Sequence, residues 1–424
     1  MLFLKPPMPT AQRCVSCAAA PALESTGFAI PGLFVFADCR CPACGKRYWV
    51  HLPIGFDIFL PTTIEPDTGV VHSPQAGEWL PQLAAAAWQA RTDKPVPVEF
   101  VEHRPVKRPL IVNCVENIYG HVLMKLYAVP RQIRENPDRD VIVIIQKSNA
   151  WLVPDGVAET WIVDVPLRQG HIFYMDLHEK FSARLRQWDE VAIAGSVIGE
   201  DIDITKFTRM PRFDYTSEAA LAAPKATFLW REDRCWTYRN QPVPRERVVL
   251  EQAAAMSRLA ETLRERVPDI DITVTGFGRT GVFPEWVKDW RLNQGERPDE
   301  LAWLRLYSQS HVVFGTHGSN MLLPAAHAGS SVELLPIFKH GNIGQGYNFL
   351  AGTAWGQAIT RYRFLPMSCS MSDIATILNL LIREARMTAF WLQSNAAPNQ
   401  DAKYRLLLRH GKIFAHQPPI VVAD

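Results

Sequence analysis

Val312-Val313-Phe314-Gly315-Thr316-His317-Gly318-Ser319-Asn320 is an apolar run that breaks on glycines and polar residues, and the helix-period stretch Met321 to His327 follows at once. A short continuous apolar run ended by a turn reads as a strand buried on both faces, the kind found in parallel sheets covered by helices. The same beat recurs on either side. Upstream, Thr227 to Trp230 reads as a strand, Arg245 to Val267 as a helix, Ile272 to Thr275 as a strand and Pro298 to Gln309 as a helix. Downstream come a strand at Val332 to Leu335, a helix near Tyr347 to Trp355, and an amphipathic stretch from Ser372 to Thr388 with Ile374, Ile377, Leu378, Leu381 and Ile382 on one stripe. Strand alternating with helix at each step specifies an α/β layer fold.

The preceding half shows the pattern less densely. Leu110-Ile111-Val112 is followed by a helical pattern from Tyr119 to Arg134 and by the run Val141-Ile142-Val143-Ile144-Ile145. Further strands are expected at Thr160 to Val165, Ile172 to Met175 and Val191 to Val197. Two doubly wound halves are expected to face each other, with a ligand cleft at the carboxyl ends of their strands. The expected segments are a cysteine-bearing module at 1–52, a proline-rich connector at 53–104 with one helix at Leu83 to Ala90, α/β domains at 105–224 and 225–370, and a C-terminal helix and tail at 371–424.

Composition narrows the function classes. The chain has 424 residues, 47% of them hydrophobic and 21% charged, which suits a protein that buries real cores. Its 45 Lys and Arg against 43 Asp and Glu give +2, and no basic block stands out, so no nucleic-acid partner is expected. No run approaches the roughly 18 apolar residues of a membrane span, and Met-Leu-Phe-Leu-Lys-Pro-Pro is too short for a signal-peptide core. A soluble, cytoplasmic protein is expected.

Five of the eight cysteines fall between Cys14 and Cys44. Cys14-Val15-Ser16-Cys17 and Cys41-Pro42-Ala43-Cys44-Gly45 form two CxxC pairs 23 residues apart, a spacing at which two knuckles converge on one tetrahedral ion. This predicts a small zinc ribbon. Four thiolates leave no open position for water, so such a zinc is structural, and Cys39 is an extra or an alternative ligand.

Gly276-Phe277-Gly278-Arg279-Thr280-Gly281 matches GxGxxG after a predicted strand. A dinucleotide site needs its third glycine to open a helix, whereas Val282-Phe283-Pro284 follows here, so a glycine-bearing loop is the better reading. The turn Gly315 to Asn320 is different, since it sits between a strand and a helix whose first N–H groups favour phosphate. His317 can add a donor there, and Glu333, at the end of the next strand, can accept from ribose hydroxyls.

The run Asp299-Glu300-Leu301, then Val312 to Asn320, then Gly329-Ser330-Ser331-Val332-Glu333-Leu334 resembles the C-terminal signature of glycosyltransferase family 61, the capsular-polysaccharide-type transferases. Asn117-Ile118-Tyr119-Gly120-His121 is similar to the family's Asn-x-x-His segment, Trp230-Arg231 and Arg239-Asn240 to its arginine-bearing strand and Arg-Asn pair, and Tyr347 to Gly356 to the helix after the signature. Ser319 and Asn320 stand where the family more often has a small residue and a glycine, and the zinc module is foreign to it.

The resemblance implies two facing Rossmann-like domains of GT-B type, a nucleotide-sugar donor, a glycan or protein hydroxyl as acceptor, and inversion at the anomeric carbon by hexosyl or pentosyl transfer. The acceptor side then falls on 105–224 and the donor side on 225–370. A departing diphosphate needs positive charge, which Arg231, Arg239 and the helix start at Gly318, Ser319 and Asn320 can supply without a metal. Asp201-Ile202-Asp203 and Asp269-Ile270-Asp271 abut apolar strand-like residues, so no catalytic metal is expected. His121 is the candidate general base and Glu116 its substitute. His171, Asp176, His178 and Glu179 look metal-like, but strand alternation would split His171 from Asp176. Two rival readings are a non-catalytic GT-B-like scaffold that docks through its zinc ribbon and, last, an NAD-dependent enzyme using Gly276 to Gly281.

Overall fold

Strands form where the apolar runs lie, and their pairing divides the chain into two units. The computed structural model describes residues 2–5, 14–17, 23–52, 62–73, 79–194, 204–235, 245–293, 298–336, 339 and 361–387. One unit is Met1–Ile202 with Lys206–Thr208, the other Asp203–Thr205 with Arg209–Asp424.

The first unit holds two sheets. β1 (Leu2–Lys5) belongs to the larger one, whereas β2 (Glu24–Ala29), β3 (Phe36–Arg40), β4 (Arg47–His51), β5 (Thr63–Ile64) and β6 (Val71–His72) make an antiparallel sheet in sequence order. Phe34, just before β3, and Phe36 and Trp49, on that small sheet, stack at 5.6 and 5.7 Å and meet Phe173 and the apolar side of α1 (Trp79–Gln89) in one aromatic core. The larger sheet adds β7 (Val98–Glu102), β8 (Pro109–Asn113), β9 (Asp140–Gln146), β10 (Glu159–Val163) and β11 (Val191–Ala194), in the order β1-β11-β8-β9-β10-β7. All neighbours are parallel except β7, which runs antiparallel along β10. Every residue of β8 is buried, as its Pro-Leu-Ile-Val-Asn composition requires of a strand covered on both faces. α2 (Tyr119–Glu135) follows β8, and α3 (Met175–Leu185) lies between β10 and β11.

Three expectations change here. Residues 53–104 do not form a mere connector: β5 and β6 extend the small sheet, and β7 edges the large one, its Glu99 and Glu102 suiting a strand with a wet side. The first strand of the chain pairs with β11 and not with the cysteine-bearing strands. Ile172 to Met175 is no strand, because Phe173 is drawn into the aromatic core and Met175 opens α3.

α4 (Ile204–Thr208) and α5 (Glu218–Ala222) precede the second sheet. Its strands are β12 (Lys225–Arg231), β13 (Asp271–Phe277), β14 (Lys288–Leu292), β15 (Val312–Thr316), β16 (Ser330–Leu335) and β17 (Tyr362–Pro366). The helices are α6 (Arg245–Arg266), α7 (Glu300–Gln309), α8 (Leu322–His327) and α9 (Met371–Arg383). All six strands are parallel, in the order β14-β13-β12-β15-β16-β17. Counted from β12 this is 3-2-1-4-5-6, the doubly wound nucleotide-binding order, with its topological switch between β12 and β15. In the first unit the chain passes from β8 to β9 and β10, then returns to β11 on the other side of β8, so its switch lies between β8 and β11. The α/β fold class with two Rossmann-like sheets and a small cysteine-bearing N-terminal sheet is thus seen. The helix expected near Tyr347 to Trp355 lies outside the described residues, and β17 is a strand the sequence reading lacked.

Candidate functional site

The sulfurs of Cys14, Cys17, Cys41 and Cys44 all lie within 4.8 Å of one another. Cys14 and Cys44 are 3.6 Å apart, Cys17 and Cys41 3.7 Å. A tetrahedron of sulfurs about 2.3 Å from zinc has edges of roughly 3.8 Å, so the four thiols fit one ion. The second knuckle is a tight turn in which Gly45 N donates to Cys41 O at 2.8 Å and Gly45 takes φ +73°. Around the sulfurs, Tyr48 Oη lies 3.3 Å from Cys14 Sγ and donates to Ser16 Oγ at 2.7 Å. Burial raises the Cys14 thiol, but the Tyr48 hydroxyl and neighbouring amides outweigh it and bring it down to about 6. Cys39 faces the core instead, where burial and Asp38 push it up to about 12. Among the described residues these four cysteines are the one group able to hold a metal. Asp176 opens α3 and accepts from Val96 N and Lys180 Nζ at 2.8 Å each, and His178 lies edge-on to Trp49, so these two members of the second metal-like set are engaged elsewhere.

Glu116 and His121 stand at the carboxyl end of β8, beside the first switch point. Gln146 at the end of β9 clamps the loop, donating to Glu116 O at 2.7 Å and accepting from Glu116 N at 3.2 Å. Glu116 Oε1 meets Lys125 Nζ at 2.9 Å, and Oε2 lies 3.6 Å from His121 Nδ1. Burial pushes the Glu116 carboxyl up, yet Lys125 and His121 outweigh burial and hold it at about 2. Glu116 is therefore a fixed anion, while His121 keeps 28% of its side chain exposed. The carboxylate partner that spacing did not reveal is thus Glu116 itself.

The second switch point carries the other candidates. Arg231 ends β12 and its guanidinium donates to Asp233 Oδ1 at 2.9 Å, to Asp233 Oδ2 at 2.6 Å and to Asn320 Oδ1 at 2.8 Å. Arg234 donates to His317 O at 2.5 Å. Both guanidiniums close over Gly318: a Cβ there would stand 2.7 Å from Nη1 of each. Burial lowers Arg234, and the charge of Arg231 lowers it further, as two cations side by side require. His317 Nδ1 lies 2.6 Å from Glu333 Oε2, the Tyr362 hydroxyl donates to Glu333 Oε1, and Phe364 lies edge-on to the imidazole.

Several expected roles shift. Glu333 is 1% exposed with both oxygens engaged, so it orients His317 and does not face a ribose. Gly315 lies inside β15 with Met321 Sδ and Leu229 where a Cβ would go, which makes it a packing position. Ser319 opens a single 3₁₀ turn, Ser319–Met321, that runs into the six-residue α8, so the positive charge here comes from guanidinium groups more than from a helix dipole. Arg239 lies outside the described residues. Arg234 was missed, and its only sequence signal is its place three residues beyond Arg231 in the loop leaving β12. In the GxGxxG loop Glu232 Oε1 accepts from Thr280 N at 2.9 Å and its carboxyl lies where a Cβ of Gly278 would be, so an acid occupies the place a phosphate would need. No helix among the described residues is long and apolar enough to cross a membrane.

No protein-family model and no curated protein matches the chain. Among solved structures it is similar to E. coli ADP-heptose LPS heptosyltransferase II, at 10% identity and TM-score 0.36 over 65% of this chain and 98% of that one. It is similar also to the spinosyn forosaminyltransferase SpnP, at 11% and 0.35 over 72% and 99%. A third is the glycosyltransferase SnogD of Streptomyces nogalater, at 12% and 0.34 over 72% and 100%. At such identity the likeness assigns no activity to this chain.

Proposed function

We propose that the chain is a GT-B-type glycosyltransferase of the family 61 kind that moves a hexosyl or pentosyl group from a nucleotide sugar to a glycan or protein hydroxyl, with inversion and without a catalytic metal. The observation that carries the reading is the pair Arg231 and Arg234 closing over Gly318 at the switch point of a 3-2-1-4-5-6 sheet. A leaving nucleoside diphosphate gains charge as the glycosidic bond breaks, and fixed guanidinium donors stabilise it there. His317, held by Glu333, adds a ring nitrogen beside the same turn.

On the acceptor side His121 takes the proton of the attacking hydroxyl, and Glu116 orients the ring and steadies the imidazolium that forms. The four thiolates hold a structural zinc that ties the N-terminal knuckles together, a chemistry suited to the reducing cytoplasm. Freshly purified protein should carry about one zinc per chain by elemental analysis, and Cys41→Ser should lose it; metal-free wild type would remove the zinc reading.

A thermal-shift screen against nucleoside diphosphates and nucleotide sugars tests the main claim. A ligand bound at 100 times its Kd should stabilise the fold by about 2.7 kcal/mol and raise its Tm. No shift with any of them would overturn the donor site. Binding without transfer to any glycan or peptide would favour the scaffold reading.

A further inference from the structure

The hairpin of β2 and β3 has the four cysteines at one end and the carboxyl edge of the large sheet of its unit at the other. Glu24 pairs with Arg40 next to the Cys41 knuckle, and Ala29 pairs with Phe36 at the opposite end. β3 spans five residues, about 17 Å at about 3.4 Å each, so that length of strand separates the metal site from the connecting segment 30–35. That segment is not a free turn. It is pressed against the loop after β10: Leu33 N donates to Gly170 O at 2.9 Å, Tyr174 N donates to Pro31 O at 2.8 Å, and the Phe173 ring lies 5.6 Å from that of Phe34.

No slack is left on either side of that loop. A Cβ at Gly32 would stand 2.7 Å from Gly170 O and from Ile172 O, and a Cβ at Gly170 would overlap Glu116 O. Three stretches of backbone thus touch in series, at 32, 170 and 116, and close-packed atoms transmit a displacement instead of absorbing it. A second route runs through side chains. Asn113, fully buried at the end of β8, donates through Nδ2 to Gly32 O at 2.8 Å and to Leu33 O at 3.3 Å, and its Oδ1 accepts from Val115 N at 3.1 Å. Val115 O in turn accepts from Lys125 Nζ at 3.1 Å, the ammonium that pairs with Glu116. Without the hairpin tip the Asn113 amide would be orphaned inside the protein, and the loop that leaves β8 would have to rearrange.

We propose that the cysteine-bearing hairpin is the positioning element of the acceptor side: Gly32 and Asn113 set the loop that carries Glu116, and Glu116 sets the ring of His121. The proposal rests on the reading of His121 as the general base. Metal binding supplies folding free energy to the segments that provide its ligands, so the ion fixes the open end of β2 and β3 while their tip holds the loop. Zinc then acts on the site through the hairpin and without touching substrate. A module used only for docking would leave that loop indifferent to the metal.

NMR on the full chain with labelled histidines tests this, the His121 and His317 signals being assigned from their alanine variants and His317, in the other unit, serving as the control. Stripping zinc with a chelator should shift the His121 signal, leave His317 in place and cut kcat about 10²-fold, the scale of an approximately 1 Å misplacement, with nucleoside diphosphate Kd unchanged. Restoring zinc should restore both. Gly32→Ala and Asn113→Ala should shift the same signal and lose the same rate while keeping their zinc, and they decide the matter if stripping unfolds the chain. A His121 signal unmoved by stripping, or unmoved in both variants, would overturn the proposal. So would variants in which His317 moves as far as His121, since that marks general unfolding. Wild type that transfers nothing would refute the transferase reading, whereas a His121 signal moving as expected would still support the hold of the hairpin on the loop.

Discussion

Each unit sets a histidine beside a glutamate at the carboxyl end of its sheet, yet the two pairs are wired differently. In the first, Lys125 takes one oxygen of Glu116 at 2.9 Å and His121 stands off the other at 3.6 Å with 28% of its side chain exposed. In the second, a neutral hydroxyl from Tyr362 takes one oxygen of Glu333, and His317 grips the other at 2.6 Å while only 5% exposed. A carboxylate already paired with an ammonium pulls less on an imidazole 3.6 Å away, so His121 is oriented by Glu116 while part of its ring stays exposed. A carboxylate matched only by a hydroxyl holds its histidine tightly, which suits a fixed donor beside a bound anion.

The largest effect expected from this contrast is on turnover. His121→Ala should cut transfer by about 10²–10⁴-fold, the usual share of a general base, with nucleotide affinity unchanged. His317→Ala should lower affinity and rate together. Rate and calorimetric data showing the same signature for both variants would erase the distinction.

Lys125→Met probes the wiring itself. Glu116 is held at about 2 against its ordinary 4.5, so its contribution to stability is complete above pH 4.5 and is lost as pH falls toward 2. Without the ammonium, burial dominates, the carboxyl rises above 4.5, and the sign reverses: the variant gains stability as acid protonates the group. Removing one partner of a buried pair costs about 3–5 kcal/mol near neutrality. Denaturant melts from pH 2 to 7 that keep the wild-type slope would contradict this account.

A smaller effect separates the arginines. Arg234→Ala should weaken nucleoside diphosphate binding by about 1.5–3 kcal/mol, and Arg234→Lys should restore little, because the planar fork is lost. Arg231→Ala should cost less, since Asp233 already takes two of its N–H groups. Calorimetry ranking them the other way would return the main anion contact to Arg231.

Reading from sequence succeeded where the cause is local. Ile272 to Thr275 falls within β13, because its β-branched residues favour a strand, and Val312 to Phe314 within β15, because burial on both faces writes an unbroken apolar run into neighbouring residues. It failed at β7, whose glutamates disguise an edge strand, and at Ile172 to Met175, where a β-rich composition serves an aromatic core. His121 and Glu116 were both legible as candidates in the segment after β8, but their pairing was not, since Lys125 reaches Glu116 only through the first turns of α2.

The sequence by itself determined the α/β alternation, the convergence of two CxxC pairs and the glycine turn after β15, all properties of residues close in the chain. Only the tertiary structure decided which groups work together: Arg231 meets Asn320 across 89 positions, Arg234 meets the His317 carbonyl across 83, and Tyr362 meets Glu333 across 29. Parallel strands joined by helices bring such residues side by side, and the order of those strands is set by how whole layers pack, which no local pattern of side chains records.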